Sequence, residues 1–276
     1  MRILALFLAL ATLPAHAAEP ASTIFGGFST PASGEARVIG SYAKGCHAGA
    51  ILFPKDGPDW AAMRLSRQRR WAQPVLADFL VRLSGQARKA GLNGLLIGDI
   101  GQARGGPMKS GHRSHQTGLD VDIWMRPLTE RPNVRDREYW SSYDVVKGRD
   151  TLVEDLWRKS AARAIPLAAA DPAVARIFVH PVVKRALCQA TKPEDRPWMR
   201  KVRAWWGHDA HFHVRLACPE GSPDCQNQKP PPPGDGCGAE LDWWFTDEPY
   251  SGESKPRKDL TMADMPAGCR ALVDAD

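Results

Sequence analysis

Two short segments of the chain alternate between apolar residues and residues that bind metal ions or charges. They are "GLDVDIW", residues 118–124, and "HFHVRL", residues 211–216. Successive side chains of a β-strand point to opposite faces, so each segment is predicted to form a strand with one apolar face for the core. The opposite faces carry Asp120, Asp122, His211, His213 and Arg215. If the strands are neighbours, these polar faces converge.

His115 precedes the first strand in a glycine-rich segment that is typical of a loop, "GQARGGPMKSGHRSHQTG". Gly118 predicts a turn that folds the imidazole back toward Asp122. An isolated histidine on a polar strand face is more often a surface residue. Four of the eight histidines, however, fall in two short stretches, one with His112 and His115 and the other with His211 and His213. A fifth, His208, lies close by.

Two imidazoles and one carboxylate leave the fourth position of a zinc ion open for water. That arrangement is typical of catalytic zinc sites, whereas closed structural sites use four protein ligands, usually with cysteine. No CxxC pair occurs in the sequence. The pattern therefore predicts a catalytic zinc centre.

The sequence "SHQTGLDVDI" followed by "HDAHFHVRL" resembles the penicillin-insensitive murein endopeptidases, a branch of the metallopeptidases that include lysostaphin-type and D-Ala-D-Ala peptidases. The pattern of the wider group is a His, six intervening residues, an Asp and a later His-x-His, which His115, Asp122, His211 and His213 match. The likeness extends from about Gly40 to residue 269 and includes "SYAKGC", "LLIGDIG", "KVRAWW" and "GDGCGAELDWW".

The resemblance implies a zinc ion bound by His115, Asp122 and His213, with His211 as a catalytic neighbour that takes or returns a proton or stabilises an oxyanion. His208 is a second candidate, either for catalysis or for support of a ligand.

His112 is implied to help bind a second, less essential metal ion. The acidic and histidine partners expected for that ion are not obvious in "YDVVKGRDTLVEDLW". Arg113 and Asp120 stand where the wider group often has Ser and Ala. Asp120 is expected to orient a ligand rather than to bind metal.

The first residues resemble a secretory signal peptide, with Arg2 before an apolar run and "AHA" ending at Ala17. We expect residues 1–17 to be removed and the protein to reach the periplasm. No later segment approaches 18 apolar residues, so no integral membrane segment is predicted.

Six cysteines, an even number in an exported protein, predict disulfides. Spacing alone supports only a local Cys218–Cys225 loop. The resemblance implies three pairs: Cys46–Cys269, Cys188–Cys237 and Cys218–Cys225.

We predict an α+β fold, with a small and mainly antiparallel sheet that bears the zinc site on one face among helices and loops. Apolar spacing predicts a helix over roughly Pro74 to Ala90. Residues 18–228 are expected to form the metallopeptidase domain. Residues 229–276 are expected to form a Pro-rich segment with little capacity for a core of its own, fastened by disulfides.

The resemblance implies hydrolysis of D-alanyl–meso-diaminopimelyl cross-link peptides in peptidoglycan. Because water attacks and no serine is acylated, penicillin should not inhibit it. A serine mechanism rests only on the SxxK match at Ser41–Lys44, without a KTG motif, and the zincin HExxH motif is absent.

A non-catalytic wall-binding module is the alternative from another class. It would use the pairs Trp205–Trp206 and Trp243–Trp244, although such pairs are more often packing residues. The net charge of +6 comes with no nucleic-acid-binding motif, so no nucleic-acid partner is expected.

Overall fold

The computed structural model describes residues 18–252 and 259–274. The α-helices of these residues are α1 (Ala21–Gly26), α2 (Pro74–Lys89), α3 (Val134–Tyr139), α4 (Glu154–Lys159), α5 (Ala164–Ala170), α6 (Pro181–Ala190), α7 (Ala239–Asp242) and α8 (Ala267–Asp274). The strands are β1 (Arg37–Ser41), β2 (Lys44–Ala48), β3 (Ile51–Leu52), β4 (Asp56–Gly57), β5 (Trp60–Ala62), β6 (Trp71–Ala72), β7 (Leu95–Ile97), β8 (Asp120–Trp124), β9 (Val146–Lys147), β10 (Thr151–Leu152), β11 (Val174–Val179), β12 (Val202–Ala204), β13 (His211–Leu216) and β14 (Cys225–Gln226).

A seven-stranded sheet forms the centre of the fold, in the order β12-β11-β13-β8-β7-β5-β4. Two of its pairings, β11 with β12 and β5 with β7, are parallel, and the others are antiparallel. The predicted α+β class with a mainly antiparallel sheet is therefore confirmed.

The two alternating segments are the adjacent central strands β8 and β13. Their antiparallel register places His213 opposite Asp122 and Arg215 opposite Asp120. The intervening apolar side chains of both strands are fully buried in the main core, namely Val121, Ile123, Phe212, Val214 and Leu216. The period-two prediction is thus confirmed on both faces.

Helix α2 covers the apolar side of the sheet. Pro74 occupies its first turn, where the missing N–H group costs nothing. The buried residues Leu76, Phe79, Leu80 and Leu83 recur at helical spacing and join the main core. The helix ends at Lys89, one residue before the predicted end.

The C-terminal helix α8 packs against the N-terminal helix α1 and strands β1 and β2 in a second, smaller core. Phe25, Ile39, Met265 and Leu272 contribute to it. The C-terminal helix therefore shares a core with the N-terminal helix. The sequence of the C-terminal segment alone does not reveal this shared core. The three implied disulfides form, namely Cys46–Cys269, Cys188–Cys237 and Cys218–Cys225.

Within residues 18–252 and 259–274, no helix combines the length and apolar character needed to cross a membrane. The predicted signal peptide, residues 1–17, lies outside the described residues.

A buried lysine fastens the Pro-rich segment to α6. Lys184 donates hydrogen bonds from Nζ to the carbonyl oxygens of Met199 (3.0 Å) and Asp235 (2.6 Å), and it is 1% exposed. Burial, together with the nearby Arg203 charge, lowers the pKa of Lys184 to about 7. The Cys188–Cys237 disulfide joins the same helix to the same segment.

The replacement Lys184→Met tests this buried amine. In the unfolded chain a lysine keeps its proton up to pH ~10.4, whereas folded Lys184 loses it near pH 7, so the unfolded state binds more protons between these values. The free energy of unfolding of the wild type, relative to the variant, should therefore rise by about 2 kcal/mol from pH 7 to pH 9.

Denaturant unfolding at pH 6, 7 and 9 measures this difference. The same substitution at exposed Lys192 is the control. If the difference in free energy of unfolding between the wild type and Lys184→Met stays constant from pH 7 to pH 9, the lowered pKa is contradicted.

Candidate metal centre

Three histidines surround one carboxylate oxygen on the polar face of strands β8 and β13. Oδ1 of Asp122 lies 3.3 Å from Nε2 of His115, 3.6 Å from Nδ1 of His213 and 3.6 Å from Nε2 of His211. The convergence follows from the register, which sets Asp122 opposite His213. The structure thus brings these four predicted site residues together.

His115 reaches this point from a strained loop. Its φ of +66° is in the left-handed region, which costs a non-glycine residue on the order of 1–3 kcal/mol. Gly118, with a φ of +67°, forms the predicted turn. Nδ1 of His115 lies 2.7 Å from the carbonyl oxygen of Ile100 and donates its proton there. Nε2, the other ring nitrogen, therefore faces Asp122.

Asp120 orients the other groups and does not face the cluster itself. Its carboxylate, fully buried, accepts hydrogen bonds from the backbone N–H of His115 (3.0 Å), from Nε2 of His213 (2.8 Å) and from Nε of Arg215 (2.8 Å). Burial opposes this charge, but Arg215 and His213 outweigh it and hold the pKa of Asp120 well below its usual range. Because Nε2 of His213 donates, Nδ1 is left with a lone pair toward Asp122.

Two buried polar atoms at the centre are left without a hydrogen-bond partner in the described part of the chain. Nε2 of His115 and Oδ1 of Asp122 make no hydrogen bond within the described chain. Such groups cost free energy unless something satisfies them. One nitrogen each of His112 and His115 and a carboxylate oxygen of Asp122 lie within 4.8 Å of one another. A divalent metal ion fits this donor set.

The protonation states of two donors also suit a metal ion. Burial lowers the pKa of His213 to about 4, so its ring is neutral at pH 7. Burial opposes ionisation of Asp122, but the rings of His211, His112 and His115 outweigh it and hold its pKa well below the usual range. Burial lowers and Asp122 raises the pKa of His115, and the carboxylate prevails. A metal ion at this position competes with that proton.

His112 lies at the edge of the cluster and contacts a carboxylate that the sequence reasoning missed. Its Nε2 is 3.0 Å from Oδ2 of Asp99 and 3.4 Å from Oδ2 of Asp122. Arg67 and Arg69 each approach the same Asp99 oxygen at 3.0 Å. Asp99 follows β7 in the quoted "LLIGDIG", but only the pairing of β7 with β8 brings it to the site. Two guanidinium groups already neutralise it, which does not favour a second cation there.

Two clefts flank the centre. His211 lines a cavity of about 210 Å³ together with Asp122 and Arg64. His208 and His213 line another, of about 360 Å³. His112 borders both. The cluster therefore forms the wall between two clefts, a geometry that exposes it to an extended ligand from either side.

His208 stands in the larger cleft near His211, with ring centroids 5.0 Å apart. Its Nδ1 lies 2.9 Å from the carbonyl oxygen of Trp206, and its φ of +61° is again left-handed. Desolvation and the neighbouring His211 and His213 lower the pKa of His208 to about 3. The neutral ring directs Nε2 away from the main chain.

The paired tryptophans divide between packing and exposure. Trp244 is buried, whereas Trp205 and Trp206 are 47% and 43% exposed and line the larger cleft. Trp205 and Trp206 pack edge to face with centroids 5.0 Å apart.

Arg104 is buried and donates to the carbonyl of Leu272, so it holds the C-terminal helix.

The substitution Gly98→Ala tests how closely the backbone at residue 98 must approach Asp122. A Cβ atom at residue 98 would lie 3.2 Å from Cβ and from the carbonyl oxygen of Asp122, and 2.8 Å from Nε1 of Trp124. We expect Gly98→Ala to displace the carboxylate and lower zinc affinity about tenfold.

Competition with a chromogenic chelator measures that affinity. Gly85→Ala is the matched control, because a Cβ at that site meets nothing within 4 Å. Equal affinities of the two variants would refute the close packing.

Asp120→Asn tests the orienting role. The amide no longer fixes Nε2 of His213 as the donor, so zinc affinity should fall about 10–100-fold. Loss of the charge also leaves buried Arg215 uncompensated, which should lower the free energy of unfolding by about 3–5 kcal/mol. Chelator competition and denaturant unfolding, with exposed Asp224→Asn as control, measure both. Wild-type zinc affinity in Asp120→Asn would show that His213 is oriented by other contacts.

Comparison with known proteins agrees with this geometry. The sequence model of a peptidase family, described as penicillin-insensitive murein endopeptidase, matches residues 38–274. Curated proteins of that name are similar along almost the whole chain. The protein of Klebsiella pneumoniae subsp. pneumoniae is 42% identical over 276 residues, which cover 97% of each chain. That of Yersinia enterocolitica is 41% identical over 96% of this chain and 94% of its own.

An Escherichia coli O157:H7 protein of the same name is 42% identical over 97% of each chain. The matched region contains the three histidines around Asp122, the loop that carries His115 and all six cysteines of the disulfides. The chain belongs to the penicillin-insensitive murein endopeptidase family.

Proposed function

We propose that this protein is a zinc-dependent endopeptidase that hydrolyses D-alanyl–meso-diaminopimelyl cross-links of peptidoglycan. The convergence of three imidazoles on the buried Asp122 oxygen carries the proposal. Membership of the murein endopeptidase family supports the substrate class.

His115, Asp122 and His213 are the proposed ligands of one catalytic ion. Their donor atoms face the same point, because Nδ1 of His115 bonds the carbonyl of Ile100 and Nε2 of His213 bonds Asp120, and the ion displaces the proton that Asp122 favours on His115. Nitrogen and carboxylate donors with an open position favour zinc. When bound, the ion supplies Lewis-acid activation of water and of the scissile carbonyl.

His211 is proposed to move a proton at Nε2. It lies on the same strand face as His213 and lines the smaller cleft, so its ring reaches both the cluster and a bound peptide. His208 is proposed to act from the larger cleft, where the Trp206 carbonyl holds Nδ1–H and leaves Nε2 toward the substrate. His112 is proposed to add a further metal-binding donor at the edge of the site, where its Nε2 also contacts Asp99 and Asp122.

The cross-link peptide is proposed to lie across both clefts with its scissile bond at the wall between them. Arg113 and Arg215 in the larger cleft, and Arg64 and Arg67 in the smaller, offer guanidinium groups to its carboxylates.

A serine mechanism finds no support in the geometry. Ser41 and Lys44 are paired in register across the tight β1–β2 hairpin, and Lys44 is exposed. Resistance to penicillin follows, because the proposed reaction forms no acyl-serine.

The three disulfides suit an oxidising compartment. We propose the periplasm as the site of action, after removal of residues 1–17. Residues 18–228 are proposed as the metallopeptidase domain, and residues 229–276 as the Pro-rich segment that the disulfides fasten to it.

The test is mass-spectrometric product analysis of a purified cross-linked muropeptide dimer. We expect the zinc-loaded protein to release monomers, a chelator to stop it, and penicillin to leave the rate unchanged. His115→Ala and His213→Ala should each lower turnover at least about a thousandfold, since each removes a proposed ligand.

His180→Asn is the matched control, because Asn retains the capping role of the His180 side chain at the start of α6. Turnover retained by His115→Ala or His213→Ala would overturn the ligand assignment. An intact dimer under zinc-replete conditions, with protein still bound to peptidoglycan, would favour a non-catalytic wall-binding module.

A further inference from the structure

A third cleft, of about 510 Å³, continues the cleft of about 360 Å³ that His208 and His213 line. Arg215 and Gln228 line both, and Nη1 of Arg215 donates to Oε1 of Gln228 at 2.7 Å. Arg215 follows His213 by two residues on the same face of β13. The third cleft therefore begins about 7 Å along the strand from His213.

The lining of this third cleft is cationic and includes no acidic side chain. Its charged residues are Arg176, Arg200, Lys201, Arg215 and Lys229. Asp120 neutralises Arg215, whereas across residues 18–252 and 259–274 no ion pair with a carboxylate neutralises the other four. Lys201 bonds the main-chain carbonyl of Asp171, whose carboxylate pairs with Arg82.

Two of the guanidinium groups occupy directly opposed positions. Arg176 on β11 is the register partner of Arg215 on β13. Like charges at such positions repel each other. Burial and the charges of Arg215 and Arg203 together lower the pKa of Arg176. An anion bound in the cleft beside the two guanidinium groups would offset this repulsion.

The far wall of the cleft is the start of the Pro-rich segment, and it is held in place. Nη2 of Arg176 donates to the carbonyl of Lys229 at 2.8 Å, and Nη2 of Arg200 donates to that of Pro231 at 2.9 Å. The hydroxyl of Tyr42 contacts Oδ1 of Asn227 at 3.1 Å. A guanidinium group has five N–H donors, so both arginines keep donors for a ligand.

We propose that this cleft binds a carboxylate-bearing peptide stem of peptidoglycan beside the bond that is cut. The inference rests on the proposed function and adds to it a site for the anionic part of the substrate. Within a stem, meso-diaminopimelate keeps one free carboxylate at its side-chain end, because its other carboxyl group is joined to D-alanine, and a stem that ends in D-alanine carries one more. Arginine recognises carboxylates through paired N–H groups, which favours this ligand over a neutral peptide.

Binding of an uncross-linked stem monomer to the zinc-loaded protein tests the inference without turnover. Calorimetry compares the monomer that carries free carboxylates with the same monomer after amidation. We expect the wild type to bind the free acid at least about tenfold more tightly, as two charge-assisted contacts imply. Lys229→Gln and Arg200→Gln should each reduce that preference severalfold, and Arg200→Lys should restore part of it.

Arg163→Gln is the matched control, because exposed Arg163 also bonds a main-chain carbonyl, that of Gly91, away from the cleft. Lys229 is exposed and its side chain does not hold the wall, so Lys229→Gln separates charge from folding. Equal binding of acid and amide by the wild type would overturn the inference, as would equal losses for both ligands in the cleft variants. Tighter binding of inorganic phosphate than of the free-acid monomer would assign the cleft to a phosphate ligand instead.

Cleavage of the cross-linked dimer, measured in parallel, keeps the two proposals apart. A wild type that prefers the free-acid monomer but cuts no dimer would contradict the proposed function and support the cleft. A wild type that cuts free-acid and amidated dimers equally well would support the function and contradict the cleft.

Discussion

The buried Asp120 carboxylate is the point at which the loop, the two central strands and the candidate metal centre meet. It fixes the backbone of His115, the tautomer of His213 and the side chain of Arg215 at once. A buried charge is tolerated only when it is paired and fully hydrogen-bonded, and here it is both. Because Nε2 of His213 donates to Asp120, Nδ1 is left for a metal ion.

The register between β8 and β13 comes next in importance. A shift of one residue would move every side chain of a strand to the other face. Such a shift of β8 would point Asp122 into the core, and the same shift of β13 would point Phe212 and Val214 into the clefts. The fully buried apolar faces of both strands oppose that shift. Hydrophobic packing on one side of the sheet thereby positions polar chemistry on the other, and the strained His115 loop is held against it by hydrogen bonds to Asp120 and Ile100.

The Pro-rich segment shows how composition can mislead. A run of prolines predicts a linker with little structure of its own. In the folded chain this segment forms one wall of a cleft, because Arg176 and Arg200 donate to its carbonyl groups and Lys184 holds Asp235. Prolines lack N–H donors but keep their carbonyl acceptors, and exposed Arg200 bonds that of Pro231.

Local periodicity was enough to predict the two strand faces and a helix over roughly Pro74 to Ala90, and the quoted motifs carried the resemblance to the family. Three features emerge only in the folded chain: Asp99 meets His112, the C-terminal helix shares a core with the N-terminal helix, and two clefts meet at the cluster. These features join residues distant in the chain through strand order, which one strand's pattern does not specify. The tautomers of His115 and His213 likewise depend on their partners, Ile100 and Asp120, and no spacing in the sequence encodes a hydrogen-bond direction.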